Sequence, residues 1–246
     1  IQNAEKELFF NIKKSYDLYH YLLLLIVELF QYAESKIELA KEKKIPSYED
    51  LNPNTRFIDN KIYRSIENCH DLKNYLQKHK LSWVNHPELI KKIYQSTSNS
   101  GFYKKYMASD SCGFQEQKSL IIDICGKIMP QEPMLFQILE EQSVYWNDDI
   151  EFIISMIIKT VKRVNDNDEI EIKLPKMYKS PEDKDFVKKL FHRCIENHQE
   201  NILLIEKYSK NWDIDRIAFM DILLLELAIT EVLYLESVPV KVTFNE

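Results

Sequence analysis

The sequence predicts an all-α fold, a helical bundle, for two reasons. Only 3 of its 246 residues are glycine, and apolar residues recur at steps of three and four over long stretches. Glycine supplies the positive φ angles of the tight turns that β-sandwiches, β-barrels and doubly wound folds require. The motifs G-x-G-x-x-G and G-x-x-x-x-G-K-[ST] are both missing, which excludes nucleotide binding through those loops. Helices need glycine mainly at their ends, so a helical bundle remains.

The first 45 residues are predicted to form the long N-terminal helix of the bundle. Apolar or aromatic residues fall on one face, among them Leu8, Ile12, Leu23 and Phe30, at the spacing of an amphipathic helix. Pro46 follows and is expected to end this helix, because proline cannot continue the hydrogen-bonding pattern.

Residues 46–180 are predicted to be a helical insertion of unknown role. Its expected helices are a single helix at 59–80, a helix starting at Pro87, helices at 115–127 and 134–145, and a helix capped by Asn147 or Asp148 that runs to about Val164. The expected connecting segments are loops at 46–60, 108–113 and 165–180 and a polar linker at 96–101.

Residues 181–246 are predicted to be the C-terminal helical core. Ser180 followed by Pro181 indicates a helix start, with a break expected near Asn197. A short helix capped by Asp213 or Asp215 follows, and a further helix is expected to begin at Thr243. Between them, residues 222–232 are apolar at nearly every position. A helix that is apolar almost all round is normally buried, so this one is expected at the centre of the core.

Composition and motifs argue against an enzyme, a metal site and a membrane protein. The net charge is −6, unlike that of a strongly basic nucleic-acid domain. His192 and His198 are too far apart along a helix to share a metal, and the acidic run 165–169 lacks the glycine and closing glutamate of a calcium loop. The four cysteines are scattered as in a reducing cytosol, and the longest apolar run is too short for a bilayer. We expect a cytoplasmic protein without metal or cofactor.

Short lysine clusters are the sequence candidates for contacts with nucleic acid, and aromatic residues lie among some of them. The clusters are Lys13-Lys14, Lys41/Lys43/Lys44, Lys91-Lys92, Lys104-Lys105 and Lys188-Lys189, and the aromatic residues are Tyr94, Phe102, Tyr103 and Tyr106. Aromatic side chains between cations can stack on bases. The competing interpretation is a solvated lysine face with tyrosines packed beneath it.

The C-terminal stretch carries a more specific pattern. Trp212 and Arg216 open a short helix, a leucine-rich helix ending near Glu231 follows, and Val238-Pro239-Val240 leads to Asn245-Glu246. Over residues 182–246 this arrangement resembles the NusB family.

The resemblance implies an all-helical bundle without a catalytic site. Such proteins bind boxA-type RNA, pair with the ribosomal protein NusE, and support antitermination on ribosomal RNA operons within the transcription elongation complex. Asp221 matches an acidic family position expected near the protein-partner surface, and Lys241 and Asn245 are expected on the RNA side. Family RNA binding relies mainly on an arginine-rich first helix and on residues after the Asn-Glu pair. Neither is present, so we expect the chain to lack both native ends.

Two positions depart from the family pattern: Glu226 stands where arginine is common, and Thr230 where tyrosine is common. Residues 45–180 also exceed the ordinary family linker and resemble the extended NusB proteins of Bacteroidetes-type bacteria. Two alternatives stay open. One is the NusB-like domain of an RNA cytosine methyltransferase, which needs a further domain with glycine-rich cofactor loops. The other is a helical interaction scaffold without inherited function.

Overall fold

The computed structural model describes residues 1–109, 113–166, 172–209, 216–235 and 238–244. Every regular element in these ranges is helical, which confirms the predicted all-α class. The chain divides into two compact units. The central unit comprises residues 10–175, and the terminal unit comprises residues 1–9 and 176–246. None of the described helices combines the length and apolar character needed to cross a membrane.

The first helix, α1, spans Gln2–Lys41 and ends shortly before Pro46, close to its predicted end. Within the central unit, almost every side chain from Asp17 to Phe30 is buried. This part of α1 is therefore the enclosed central helix of the unit, around which the other helices pack. Its continuous run of apolar residues suits that position, because an enclosed helix has no face that needs to be polar.

The prediction of a single helix at residues 59–80 is wrong, because this segment forms two helices. After a short helix α2 (Tyr48–Leu51), the structure has α3 (Lys61–Asn68) and α4 (His70–His79). Cys69 between them is extended, with φ −61° and ψ 114°. The Asn60 side chain starts α3 by accepting hydrogen bonds from the backbone N–H groups of Ile62 and Tyr63, which is the usual action of an asparagine cap. Apolar periodicity does not register a one-residue break of this kind.

The polar linker predicted at residues 96–101 is also wrong. Helix α5 (Pro87–Asn99) continues through most of it, and α6 (Gly101–Ala108) begins directly after Ser100. Ile93 and Thr97 are fully buried on the inner face of α5, so tertiary burial overrides the polar composition. The Ser100 hydroxyl accepts a hydrogen bond from the Tyr103 backbone N–H and so caps α6.

The remaining helices of the central unit follow the prediction with changed boundaries. Helix α7 (Phe114–Asp123) passes into a π-helical turn (Ile124–Ile128) and a 3₁₀ turn (Met129–Gln131). Helix α8 (Pro133–Gln142) is followed by a 3₁₀ turn (Val144–Trp146) and by α9 (Ile150–Arg163). The predicted cap of α9 is wrong. The residue before the helix is Asp149, which makes no capping bond. Its carboxylate accepts a hydrogen bond from the Ser15 hydroxyl instead.

Stacked aromatic rings surround the buried part of α1. The Tyr21 and Trp83 rings are parallel within 5°, with centroids 3.8 Å apart. The Trp83 indole N–H also donates to the Tyr21 carbonyl over 2.9 Å. Further along α1, Phe30 stacks on Phe57 and Tyr63 at centroid distances of 4.1 and 4.4 Å. Large rings bury much apolar area, so these contacts give the central unit a core of its own.

The terminal unit contains the start of α1 with α10 (Pro181–Glu196), α11 (His198–Tyr208), α12 (Phe219–Tyr234) and α13 (Val240–Thr243). The predicted start at Ser180 and break at Asn197 are confirmed. The helical turn predicted from Thr243 begins earlier, at Val240, directly after Pro239. The predicted caps Asp213 and Asp215 lie outside the described residues.

Candidate partner-binding surface in the terminal unit

Helix α12 packs against α10 and α11 through a narrow polar stripe. Its buried residues are Glu226 and Thr230. The Glu226 carboxylate lies 2.6 Å from His198 Nδ1, and Thr230 Oγ1 accepts a hydrogen bond of 2.9 Å from the Asn201 amide. Thr230 also donates to the Glu226 carbonyl over 2.7 Å. Two side chains of α11 therefore fix which face of α12 points inward.

The expectation that residues 222–232 form a buried central helix is wrong in this structure. Several large apolar residues of α12 are exposed, and four of them expose more than half of their surface area. The exposed fractions are 72% for Phe219, 63% for Met220, 61% for Leu224, 54% for Leu233, 42% for Leu225 and 39% for Leu227. The buried stripe occupies one side of a helix that is apolar on nearly all sides, so the other sides face outward. Contiguous exposed apolar surface of this kind marks interaction sites.

Asp221 lies in the first turn of α12, exposed to solvent, as a partner-contacting residue must be. Its neighbours along the chain, Phe219 and Met220, are among the most exposed apolar residues of the unit, and Leu224 follows one turn later. A carboxylate in a first turn interacts favourably with the helix dipole. The start of α12 therefore presents one negative charge within an apolar surface, the composition of a protein-binding patch.

A groove of about 510 Å³ lies between α11, α12 and Phe244, the residue after α13, and extends this apolar surface. Its walls include Tyr208, Leu225, Val232, Leu233 and Phe244. Apolar side chains dominate the lining, and the described walls carry no charged side chain. Such a groove accommodates apolar side chains of a protein partner rather than a phosphate or a metal ion.

Lys241, the first predicted RNA-contacting residue, is exposed on α13. Val240, Val242 and Phe244 next to it are also exposed. The second predicted residue, Asn245, lies outside the described residues. The structure therefore brings Lys241 to an accessible surface.

One of the lysine clusters considered from the sequence has a partner within the terminal unit. Lys188 Nζ lies 3.1 Å from a Glu5 carboxylate oxygen, and His192 Nε2 lies 2.7 Å from the other. These hydrogen bonds from His192 and Lys188 lower the pKa of Glu5. They attach the start of α1 to α10. Lys188 is thus occupied by a structural contact, which weakens the case for Lys188-Lys189 as a nucleic-acid site.

No group of three or more histidine, cysteine or acidic side chains within the described ranges is placed to hold a metal ion. His198, considered above as a metal ligand, is engaged with Glu226, and His192 with Glu5. The arrangement of the terminal unit suits binding of a macromolecule. The sequence offers Asp221 as a candidate but not the surrounding patch, because a helix with apolar residues on all faces is normally a buried one.

The NusB family model matches residues 149–246 of this chain. Three curated relatives, each described as a transcription antitermination protein NusB, show similar identities. The protein of Chloroherpeton thalassium is 43% identical over 63 residues, which is 26% of this chain and 30% of that protein. The protein of Salinibacter ruber is 42% identical over 66 residues, 27% of this chain and 41% of that protein.

The protein of Caldicellulosiruptor saccharolyticus is 41% identical over 64 residues, 26% of this chain and 49% of that protein. The chain thus spans less than half the length of each of these relatives. No solved structure matches the chain. The family match includes α9 to α13 and all the anchor residues identified in the sequence. Residues 149–246 of this chain therefore contain a domain of the NusB family.

Proposed function

We propose that this protein is a transcription antitermination factor of the cytoplasm that acts on ribosomal RNA operons without catalysis. Its NusB domain would bind boxA-type RNA and a NusE ribosomal protein in the transcription elongation complex. The observation that carries this proposal is the exposed start of α12, where Asp221 stands among Phe219, Met220 and Leu224. The family match at residues 149–246 and the names of the relatives support it.

In this proposal Asp221 is a charged contact to NusE, and the exposed apolar residues around it supply the buried area of the complex. Interfaces typically combine an apolar centre with charged groups that select and orient the partner. Lys241 on α13 is proposed as a phosphate contact to the RNA, and Asn245 as a second RNA contact. Lysine acts on phosphate as a mobile point charge.

The NusE contact is tested by calorimetry with the full chain and purified NusE. Asp221→Lys should weaken the complex about tenfold, or roughly 1.4 kcal/mol, because it reverses a charge at the interface. Asp185→Lys, an equal charge reversal at an exposed position of α10, is the matched control and should bind like the parent. Unchanged affinity of Asp221→Lys for NusE would show that Asp221 is not part of the interface. Equal losses of affinity in both variants would show that the effect comes from the change in net charge alone.

The RNA contact is tested by an electrophoretic shift with boxA-type RNA, with and without NusE. We expect boxA-type RNA to bind more tightly when NusE is present, and a scrambled RNA of equal length to bind more weakly than boxA-type RNA. Lys241→Gln should lower the slope of log affinity against log salt by about 0.7, the value for one phosphate contact to a single strand. If boxA and scrambled RNA bind equally, the proposed recognition of boxA is wrong.

A further inference from the structure

Helices α5 and α6 of the central unit carry four lysines and a single acidic residue, Glu88, although the net charge of the chain is −6. The four lysines are all exposed: Lys91, Lys92, Lys104 and Lys105. Lys91 lies 3.6 Å from Glu88, whereas Lys104 and Lys105 on α6 have no ion pair within the described residues. This surface holds positive charge that the protein does not neutralise itself.

A cleft of about 340 Å³ lies next to these lysines, between α6 and α7. Phe102 and Lys105 of α6 form one wall, and Gln115, Ser119 and Asp123 of α7 form the other. Phe102 is half-buried, so its ring is held in place while still bordering the cleft. An aromatic ring opposite amide, hydroxyl and carboxylate groups is a combination that can stack on a base and bond to its edge.

Two carboxylates border the cleft, and both are engaged. Asp123 lies 2.9 Å from Lys127 Nζ, and Glu116 accepts a hydrogen bond of 2.8 Å from the Gly113 backbone N–H. Lys127 Nζ also lies 5.7 Å from the centre of the Phe102 ring. Asp123 is therefore paired with a cation and Glu116 is held by a backbone N–H group, whereas Lys104 and Lys105 have no acidic partner among the described residues.

We propose that α6 and this cleft bind single-stranded RNA, with phosphates on Lys104 and Lys105 and one base in the cleft against Phe102. The site belongs to the central unit and lies outside the NusB match at residues 149–246. It does not depend on the proposed function of the terminal unit. A duplex keeps its bases stacked inside, so the cleft favours a single strand.

The probe is a fluorescein-labelled cytidine homopolymer RNA of about 12 nucleotides, within the usual site size for single strands. It contains no boxA element, so its binding does not depend on recognition of boxA. Binding to the full chain is measured by fluorescence anisotropy at several salt concentrations. Lys104→Gln/Lys105→Gln should weaken binding at least about fivefold at low salt and lower the salt slope by roughly 1.4, the value for two phosphate contacts.

Phe102→Leu keeps the apolar volume but removes the ring, and it should weaken binding about fivefold with an unchanged salt slope. The matched charge control is Lys159→Gln/Lys162→Gln, two exposed lysines of α9 in the same unit, which should bind within about twofold of the parent. Circular dichroism melting of each variant verifies that it is folded.

The proposal is overturned if the α6 and α9 double variants lose equal affinity, or if neither loses any. It is also overturned if duplex DNA of equal length, or vesicles of anionic lipid, compete as well as the unlabelled RNA. Equal binding of boxA and scrambled RNA, together with homopolymer binding that still depends on Lys104, Lys105 and Phe102, would contradict only the proposed function of the terminal unit, so the two proposals fail separately.

Discussion

His198 Nδ1 on α11 lies 2.6 Å from the buried Glu226 carboxylate on α12. One turn further along both helices, the Asn201 amide donates to Thr230 Oγ1. Glu226 and Thr230 are the two positions at which the sequence departs from the common NusB pattern, and they are also the buried residues of α12. Each departure therefore has a partner of matching chemistry on α11.

The first prediction concerns Thr230. Thr230→Val keeps the side-chain shape but leaves the buried Asn201 amide without its acceptor, so it should lower the free energy of unfolding by about 1–3 kcal/mol. Urea unfolding followed by circular dichroism measures this loss. Thr97→Val is the matched control, because the buried Thr97 hydroxyl has no hydrogen-bond partner among the described residues. That variant should be as stable as the parent, and similar losses in both would contradict the assigned role of the Thr230 hydroxyl.

The second prediction concerns the pair of His198 and Glu226. His198→Leu leaves a carboxylate that is 2% exposed without its partner, and should cost about 1–3 kcal/mol of unfolding free energy. The double variant His198→Leu/Glu226→Leu should recover most of that loss, since apolar replacement of both members removes the unpaired group. Calorimetric melting of His198→Leu, Glu226→Leu and the double variant forms the test. A double variant that loses the sum of the two single effects would show that the residues act independently.

These contacts show what the sequence could and could not predict. The periodicity of residues 1–45 and the cap at Ser180 depend on neighbours along the chain, so α1 and the start of α10 were predicted well. The break at Cys69 and the continuation of α5 to Asn99 depend on packing against distant residues. The prediction that α12 is buried is wrong for a related reason. The helix is apolar on nearly every side, and only its contacts with α11 determine which side faces inward.

The sequence supplies part of the candidate site. Asp221 and Lys241 came from the family pattern, and both are exposed. The apolar patch at Phe219 and Met220 carried a sequence signal, namely large apolar residues at the first two positions of a helix. Such residues can be either buried or exposed, and only the packing of the neighbouring helices decides between the two.

The third prediction is a pH dependence of stability from His20 on α1. His20 is buried, stacks on Tyr75 at a ring distance of 3.8 Å, and lies 2.8 Å from the Tyr16 carbonyl through Nδ1. Burial lowers its pKa, although Asp17 beside it acts in the opposite direction, and burial also lowers the pKa of His79 nearby. The unfolded chain therefore binds more protons than the folded one below about pH 7.

Stability should accordingly fall as the pH decreases from about 7 through the unfolded histidine pKa near 6.5. His20→Phe keeps a ring against Tyr75 but cannot bind a proton, so its stability should fall less over the same range. Urea unfolding at pH 8, 7, 6 and 5.5 compares the two slopes. Parallel slopes would exclude His20 as a source of the acid sensitivity.

The fourth prediction concerns Lys118, a buried lysine on α7. Its Nζ donates to the Lys162 carbonyl over 3.1 Å and to the Val164 carbonyl, so it closes the C-terminal end of α9. A cation there satisfies free carbonyls and complements the helix dipole. Lys118→Met should therefore lower the free energy of unfolding by roughly 1–3 kcal/mol. Lys159→Met at an exposed position of α9 is the control and should change it by less than about 0.5 kcal/mol. Equal effects would contradict a capping role for Lys118.

The assembly of the terminal unit from two distant chain segments has a consequence for synthesis on the ribosome. Glu5 meets its partner His192 only after 186 intervening residues have been made. The central unit is continuous in sequence, so it can fold as soon as residue 175 has left the exit tunnel. The first nine residues must wait until the last helices emerge. Premature pairing of the waiting segment is therefore the characteristic hazard of this topology. Slowed translation after residue 175 prolongs the wait, so it should lower the yield of native protein.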